Sequence, residues 1–325
     1  MFAHITVCEP SVGAAPGVTW RGVIVPHVND RARLRECARI LGAPITAYVP
    51  CRSGGRMVLD AAAPGQRAFQ ALLFAGFNSE GDHPWDGVRG RSMRELRLYV
   101  NWVAPQPDRL VIECTHAPRV VAHLLPHTQP LAAGATIMGG IPGLRITGYR
   151  KAVVELTHLP TGGRLDLRHG GGATSAYALR AIFASETDGT EHITTGDMGV
   201  DESAMYARWS PRRESAILSA LMARATLFWT GFRHDTTVAH SKRSDCATRI
   251  SWRRGRSTVE VARHLTDHVV GIPGARIDDS RSHEDSCVLT LERASVELDG
   301  PHIRSADRAG WHATSATSNL GSDGH

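Results

Sequence analysis

A glycine–tyrosine pair lies in a stretch whose residue types could form a hairpin and expose one aromatic ring to a ligand. Gly148 and Tyr149 lie within the stretch 140–156, which begins Gly-Ile-Pro-Gly and ends in a run rich in β-branched residues. This pattern predicts a tight hairpin, in which Gly148 can adopt a positive φ and Tyr149 lies at the exit of the turn. Such a ring can pack on a small ligand such as a nucleoside, or it can pack within the protein like any other tyrosine.

Acidic residues form two further candidates for chemistry. The stretch 195–203, Thr-Gly-Asp-Met-Gly-Val-Asp-Glu-Ser, predicts a turn that enters a strand, with Asp201 facing a cleft. The acidic cluster of Asp278, Asp279 and residues 283–285 offers the oxygen ligands that a hard cation prefers, although a solvated loop has the same composition. For both stretches, a binding site and an ordinary loop remain alternative interpretations.

Histidine and arginine clusters are the remaining candidates. His264 and His268 stand four apart, which on a helix is half of a metal site, but no third ligand is marked and surface histidines show the same spacing. The run 252–256, Trp-Arg-Arg-Gly-Arg, is typical either of a nucleic-acid contact or of an arginine cluster at a strand edge. The chain has no GxxxxGK[ST] and no GxSxG motif, which excludes P-loop enzymes and hydrolases with a nucleophile elbow.

The composition is that of a folded protein. The 325 residues are 42% hydrophobic, which suffices for one large or two medium domains with a real core. The net charge of +5 and the pI of about 9.1 favour a polyanionic partner. Six widely spaced cysteines without CxxC spacing favour a reducing, intracellular compartment. We expect no secretion and no membrane contact, because the sequence shows neither a signal peptide nor an apolar run of about 20 residues.

Short β-branched or alternating segments separated by turn residues dominate the second two thirds of the chain. Their spacing predicts a mainly β fold of the sandwich or barrel type, with strands over 96–103 and 249–261 among others. A few short helices are expected, including 31–41 and 66–77. The apolar stretch 214–229 fits either a helix or a strand.

A glycine-rich stretch near residue 170 suggests a seam between two units. We therefore expect an N-terminal β domain over 1–170, which carries the glycine–tyrosine hairpin, and a second β domain over 171–300. The last segment, 301–325, is rich in Ser, Gly, Ala and His and predicts a flexible C-terminal arm.

Taken in order, these stretches resemble the herpesvirus-type dUTPases over about residues 90–325. The pair Gly148-Tyr149 resembles the motif whose tyrosine packs on deoxyribose, and the stretch 196–201 is similar to the family's Gly-Asp-x-Gly-Leu-Asp. The arm that closes over the nucleotide in that family is matched by Leu320, Gly321 and Ser322. The resemblance implies two dUTPase-like β-barrel or jelly-roll domains in one chain, with a single site between them.

The resemblance also implies an activity, the hydrolysis of dUTP to dUMP and pyrophosphate with Mg²⁺ as cofactor. The protein would act as a monomer in the nucleus or cytoplasm of a host cell, and Asp201 would help to hold the metal. Ile146 occupies the position of the family's water-activating aspartate, and an isoleucine cannot accept a proton. Asp197 is the nearby acid that remains as a candidate base, and the Arg-Ser phosphate motif of the family is missing.

Two other interpretations stay open. The first is a dUTPase-related protein that has lost catalysis and serves as an interaction module for a host or viral protein. The second is a basic nucleic-acid-binding β-protein, which rests on the pI and on the run 252–256. That interpretation gains if arginines line one continuous face.

Overall fold

The computed structural model describes residues 28–49, 51–53, 56–78, 93–130, 136–171, 175–187, 190–208, 215–229, 237–240, 248–282 and 286–301. The described part folds into two five-stranded sheets, a three-stranded sheet, a two-stranded ribbon and seven α-helices. Residues 302–325 of the expected arm, and with them Leu320, Gly321 and Ser322, lie outside the described residues.

The elements have the following bounds. The helices are α1 Val28–Leu41, α2 Pro64–Phe77, α3 Ala117–Leu124, α4 Ala176–Glu186, α5 Val200–Arg208, α6 Ser215–Met222 and α7 Thr258–Thr266. The strands are β1 Cys51–Ser53, β2 Arg56–Val58, β3 Val100–Pro105, β4 Leu110–Cys114, β5 His127–Pro130, β6 Thr136–Gly139, β7 Leu144–Arg150, β8 Val153–His158, β9 Gly163–His169, β10 Glu191–His192, β11 Thr237–His240, β12 Thr248–Ser251, β13 Arg276–Asp278, β14 Ser286–Leu291 and β15 Ala294–Asp299. Short 3-10 helices cover Ile45–Ala47, Met93–Tyr99 and Ala225–Leu227.

The two five-stranded sheets have the same topology. Their strand orders are β3-β4-β9-β8-β7 and β11-β12-β15-β14-β13. In chain order, the first two strands of each sheet pair antiparallel, and the last three strands form an antiparallel meander. The second strand in the chain pairs parallel with the fifth, which joins the two parts of the sheet. One helix, α3 or α7, follows the second strand. The chain therefore contains the same ββαβββ unit twice, and the first copy carries the additional strands β5 and β6.

The helices that precede the two units pack against each other. Helix α2 contacts β9 of its own sheet, α6 contacts β15, and α2 and α6 contact each other along their lengths. The fully buried Gln70 accepts a hydrogen bond from the Ser219 hydroxyl at 2.9 Å between Oε1 and Oγ. The buried apolar side chains of both units form one continuous cluster around this helix pair.

The sequence carries a direct trace of the repeated unit. Residues 140–146 read Gly-Ile-Pro-Gly-Leu-Arg-Ile, and residues 271–277 read Gly-Ile-Pro-Gly-Ala-Arg-Ile. Both segments form the corner that leads into the third strand of a sheet, β7 or β13. Gly143 and Gly274 have φ values of 79° and 80°, which favour glycine. The two corners therefore share their sequence and the left-handed glycine before the strand, whereas Gly140 has a positive φ of 80° and its counterpart Gly271 does not.

The same hydrogen bonds hold both corners. The Ile141 amide donates to the Leu124 carbonyl at 2.8 Å, and the Ile272 amide donates to the Leu265 carbonyl at 2.8 Å. Each bond ties the corner to the end of the preceding helix, α3 or α7. The two units are thus alike in tertiary contacts as well as in strand order.

Buried His158 reinforces the first corner. Its Nε2 lies 3.1 Å from the Pro142 carbonyl oxygen, its Nδ1 lies 2.8 Å from the Thr161 hydroxyl, and its ring stacks on Phe69. Burial lowers the pKa of His158 to about 4, so the ring is neutral at pH 7. A neutral imidazole donates from one nitrogen and accepts at the other, which matches a carbonyl on one side and a hydroxyl on the other.

The expectation of a mainly β fold is correct only in part. Substantial sheet is present, but seven α-helices accompany it among the described residues, so the fold is mixed α/β, and none of the described sheets closes into a barrel. The expected strand 96–103 is a 3-10 helix up to Tyr99 before β3 begins. The expected strand 249–261 ends at Ser251, and α7 follows because the Ser257 hydroxyl caps it by accepting from the Glu260 amide.

Asn78, at the end of α2, joins the two units. It is fully buried, and its Oδ1 accepts from Arg97 Nη1 at 2.6 Å and from the Trp229 indole nitrogen at 3.0 Å. Its backbone carbonyl accepts from the Val238 amide of β11 at 2.6 Å. The side chain thereby contacts the first unit and the segment after α6, and the backbone of the same residue contacts the edge strand of the second sheet.

We predict that Asn78→Ala lowers the free energy of unfolding by about 2–4 kcal/mol, because a buried donor left without its acceptor costs roughly 1–3 kcal/mol and Asn78 accepts from two. Asn101→Ala is the matched control, because Asn101 is exposed and makes one long contact of 3.5 Å. Urea denaturation of both variants measures the difference. Equal stability of Asn78→Ala and the control would contradict this role for Asn78.

Candidate functional site

The sheet of the first unit has one covered face and one open face. Leu165 and Leu167 of β9 are fully buried on the face that packs against the helices. Arg164 and Arg168 alternate with them, so they project from the opposite face. Their side chains are about half exposed, at 45% and 53%. The two arginines are therefore accessible to a partner, whereas Asp166, which lies between them on the same face, is buried.

Arginine–carboxylate pairs cover the open face of this sheet. The pairs are Arg164–Asp108 at 2.9 Å, Arg168–Glu113 at 3.5 Å, Arg150–Glu155 at 3.1 Å and Arg109–Asp166 at 3.2 Å. Burial raises the pKa of the Asp166 carboxyl, and the neighbouring Arg109 opposes that shift. The face therefore carries donors and acceptors in alternation rather than charge of one sign.

The sheet of the second unit repeats this arrangement with fewer charges. Arg249 of β12 is exposed, and its Nη2 lies 2.7 Å from an Asp299 carboxylate oxygen on β15. Glu297, two residues earlier on β15, lies 3.9 Å from Arg249 Nε. Arg276 of β13 is also exposed. The two sheets thus share an open, arginine-bearing face on the side opposite to their apolar side chains.

Strand register matches the positions of the two open faces. Ile112 pairs with Leu167 in the first sheet, and Ile250 pairs with Leu298 in the second. By this match Asp166 corresponds to Glu297, whereas Arg249 corresponds to the apolar Val111. The faces have the same strand arrangement and different side chains. Sequence reasoning missed them, and the repeated Gly-Ile-Pro-Gly segment was the signal that could have revealed the duplication.

The predicted hairpin is present, but its turn lies further along the chain. Strands β7 and β8 pair with Lys151 and Ala152 as the two turn residues, and the positive φ of 47° belongs to Lys151. Gly148 lies inside β7, next to a shift in strand register. A Cβ at Gly148 would come within 2.5 Å of a Glu155 carboxylate oxygen, but this is the end of a flexible side chain that can move away, so the contact by itself does not require glycine.

The ring of Tyr149 is covered rather than free. The Arg180 guanidinium of α4 lies 4.8 Å from the ring centroid, a cation–π contact. Burial raises the pKa of the Tyr149 hydroxyl, and the nearby Arg180 opposes the shift. A guanidinium therefore occupies one face of the ring to which the dUTPase resemblance assigns a sugar.

The stretch 195–203 enters a helix, which corrects the predicted strand. Helix α5 begins at Val200, and two carboxylates in its first turn, at Asp201 and Glu202, favour a helix N-terminus because of the helix dipole. Asp201 is exposed. Asp197 accepts a hydrogen bond from Arg145 Nη2 at 3.0 Å through its backbone carbonyl, so this contact does not use its carboxylate.

Glu202 and Arg145 form a buried ion pair that sequence reasoning did not identify. Both side chains are at most 3% exposed, and Arg145 Nη2 lies 2.6 Å from Glu202 Oε2. The amides of Gly143 and Gly199 also donate to the carboxylate, at 2.7 and 3.3 Å. Burial alone would raise the pKa of Glu202, but the hydrogen bonds from Arg145 and these amides lower it. Every oxygen of the carboxylate therefore has a donor.

The ion pair fastens the segment before α5 to the start of β7. The Ile146 amide donates to the Thr194 carbonyl at 3.0 Å, and Arg145 Nε donates to the Gly196 carbonyl at 2.9 Å. Two of the stretches on which the dUTPase resemblance rests, around residues 146–149 and 196–201, are thus neighbours. Ile146 itself packs against the apolar core.

The candidate metal ligands do not gather into one cluster among the described residues. That part of the chain contains no group of three His, Cys, Asp or Glu side chains arranged to hold a metal ion. Asp201 is a single exposed carboxylate, and its neighbour Glu202 is committed to Arg145. His264 lies on α7 and contacts Arg256 at 2.9 Å, and Asp278 caps a local turn. These residues fit structural roles.

The basic run 252–256 does not form one continuous exposed face. Trp252 is 3% exposed and packs its ring edge-on against Phe228 in the core. Arg256 donates to the Ile40 carbonyl at 3.0 Å and pairs with Glu260 at 2.8 Å. The nucleic-acid interpretation therefore has to rest on the sheet faces instead.

Comparisons with known proteins give no relative for this chain: no family model matches it, and no curated protein or solved structure is significantly similar. Among the described residues, no helix is both long and apolar enough to cross a membrane.

We predict that Glu202→Gln lowers the free energy of unfolding by about 3–5 kcal/mol, because breaking a buried ion pair leaves the Arg145 guanidinium without its counter-charge. Asp201→Asn is the matched control: it removes one negative charge from the adjacent, exposed position of the same helix turn. Thermal and urea unfolding measure both variants. The pair would not be structurally important if the two variants were equally stable.

Proposed function

We propose that the protein binds duplex nucleic acid through the open faces of its two five-stranded sheets. The observation that carries the proposal is the duplication: two like units, held by paired helices, each present an open face with exposed arginines. Proteins that read a duplex commonly use two related units on two half-sites. Here one chain supplies both units.

The side chains on these faces suit base edges. Arginine donates to guanine, and carboxylates accept from the amino group of cytosine, so a face that alternates the two reads sequence rather than charge alone. Arg164, Arg168 and Arg249 are the exposed donors, and Glu297 and Asp299 are acceptors on the second sheet. β-strands and sheets are established elements for groove recognition.

The overall charge supports the same partner. The chain has 37 basic and 32 acidic residues, and all but two of the basic residues, Lys151 and Lys242, are arginines. An excess of +5 favours association with a polyanion, and arginine forms the bidentate contacts that phosphates and bases accept. Because counterions are released on binding, the affinity should fall steeply with salt.

We expect the purified protein to bind a labelled random-sequence DNA duplex, with affinity falling by at least tenfold between about 50 and 200 mM salt. Selection from the random pool then gives a preferred sequence. The double change Arg164→Gln/Arg249→Gln, with one substitution on each sheet, should lower the affinity for that sequence about tenfold or more, because each base contact is worth roughly 1–3 kcal/mol. Fluorescence anisotropy measures each affinity.

Arg208→Gln is the control for charge, because Arg208 is exposed at the end of α5 and belongs to neither sheet. It should lower the affinity much less than the double change and leave sequence preference intact. Failure to bind the duplex even at low salt would overturn the proposal.

Hydrolysis of dUTP is the second candidate function. The observation that favours it is the contact between the stretches 146–149 and 196–201, which the resemblance to herpesvirus-type dUTPases pairs in one site. Ile146 in the base position, the covered ring of Tyr149 and the single carboxylate of Asp201 weigh against it. Loss of catalysis would leave the interaction module, with a host or viral protein as partner.

If the protein is a dUTPase, it releases pyrophosphate from dUTP in buffer containing Mg²⁺ and does so far more slowly from UTP. Asp197→Asn should then lower the rate about 100-fold or more, because removal of a general base costs that much. The substitution leaves the backbone carbonyl that holds Arg145 in place. Absence of pyrophosphate release, together with no rise in melting temperature on adding dUTP, would exclude this activity.

A further inference from the structure

A basic and aromatic surface surrounds the turn of the β7–β8 hairpin. We call it the hairpin-tip patch, and it consists of Tyr149, Arg150, Lys151, Tyr177 and Arg180. The first three residues end β7 and begin the turn, and the last two lie on α4, which packs against β7. The cation–π contact of Arg180 with Tyr149 joins the helix to the hairpin.

The hairpin-tip patch has an excess of positive charge. Arg150 pairs with Glu155 at 3.1 Å and lies 3.5 Å from Asp166. Lys151 and Arg180 are exposed, and no carboxylate of the described residues lies within ion-pair distance of either. Two exposed cations, one in the turn and one over the Tyr149 ring, favour an anionic partner.

Tyr177 adds an uncovered aromatic ring to these cations. It is 83% exposed, although tyrosine usually buries most of its ring. It lies one helical turn before Arg180, so both side chains project from the same side of α4. Its position is fixed, because buried Leu179 anchors the helix and the Ser175 hydroxyl caps it.

We propose that the hairpin-tip patch binds a single-stranded segment of nucleic acid that adjoins the duplex. Tyr177 stacks on an unpaired base, and Lys151 and Arg180 contact the phosphates on either side of that base. Aromatic stacking combined with a basic groove is how proteins hold unpaired strands without sequence preference. An acidic polypeptide would satisfy the two cations but would leave the ring of Tyr177 uncovered, so the ring favours nucleic acid. This inference rests on the proposed duplex binding and extends it.

The test compares three probes: a blunt duplex, the same duplex with a single-stranded tail of about six nucleotides, and the tail oligonucleotide alone. A tail of this length is within the range that small single-strand sites cover. Anisotropy measures the affinity of the full-length protein for each. The tail should raise the affinity about fivefold or more, and Tyr177→Ala should abolish that gain while the affinity for the blunt duplex stays unchanged. Val200→Ala, an exposed apolar truncation at the start of α5, should keep the gain.

Each outcome separates this inference from the proposed function. Two outcomes would overturn the proposed role of the hairpin-tip patch and leave duplex binding in place. Either the tail gives no gain in affinity over the blunt duplex, or the Tyr177→Ala variant retains the gain. Tyr177-dependent binding of the tail oligonucleotide without binding of the blunt duplex would support the patch and overturn the duplex proposal. Equal displacement of the tail oligonucleotide by poly-glutamate would overturn the patch in favour of an acidic polypeptide.

Discussion

The packing of α2 against α6 fixes where everything else in the described fold can lie. Each helix covers the apolar face of its own sheet, so the position of one helix against the other also sets the position of one sheet against the other. Apolar contacts alone tolerate a shift by a turn, but the buried bond between Ser219 and Gln70 does not, because a shift would leave two polar groups buried without partners. Asn78 adds a second fixed point at the end of α2.

The two units agree where the backbone requires a particular residue and differ where it does not. Gly143 and Gly274 occupy the same positive φ, and both corners are bonded to the preceding helix. The arginine that follows has diverged in its surroundings: Arg145 is buried against Glu202, whereas Arg276 is exposed. The segment between the units thus clamps the first sheet only. A duplicated chain can keep one fold while its two faces acquire separate contacts.

The sequence predicts local elements of this fold far better than their arrangement. Apolar spacing identified the helix that ends at Phe77. Turn residues and a β-branched run identified the β7–β8 hairpin, although its turn lies at residues 151–152 instead of near Gly148. Strand prediction failed at 96–99, where a 3-10 helix precedes β3, and at 258–266, where the Ser257 cap begins a helix in a segment that contains several β-branched residues. The ion pair of Arg145 with Glu202 was beyond reach, because 57 residues separate the partners and neither position is unusual by itself.

The energetics of the open faces favour them over the tyrosine hairpin as the binding surface. Ion pairs between half-exposed arginines and carboxylates are worth about 0–1 kcal/mol, so Arg164 or Arg249 can exchange its partner for a base edge at little cost. The same pairs hold the side chains in place before binding, which reduces the entropy lost on association. Tyr149 is in the opposite situation, because a ligand would have to displace Arg180 from its ring. A surface that is ordered but weakly paired is the better binding site.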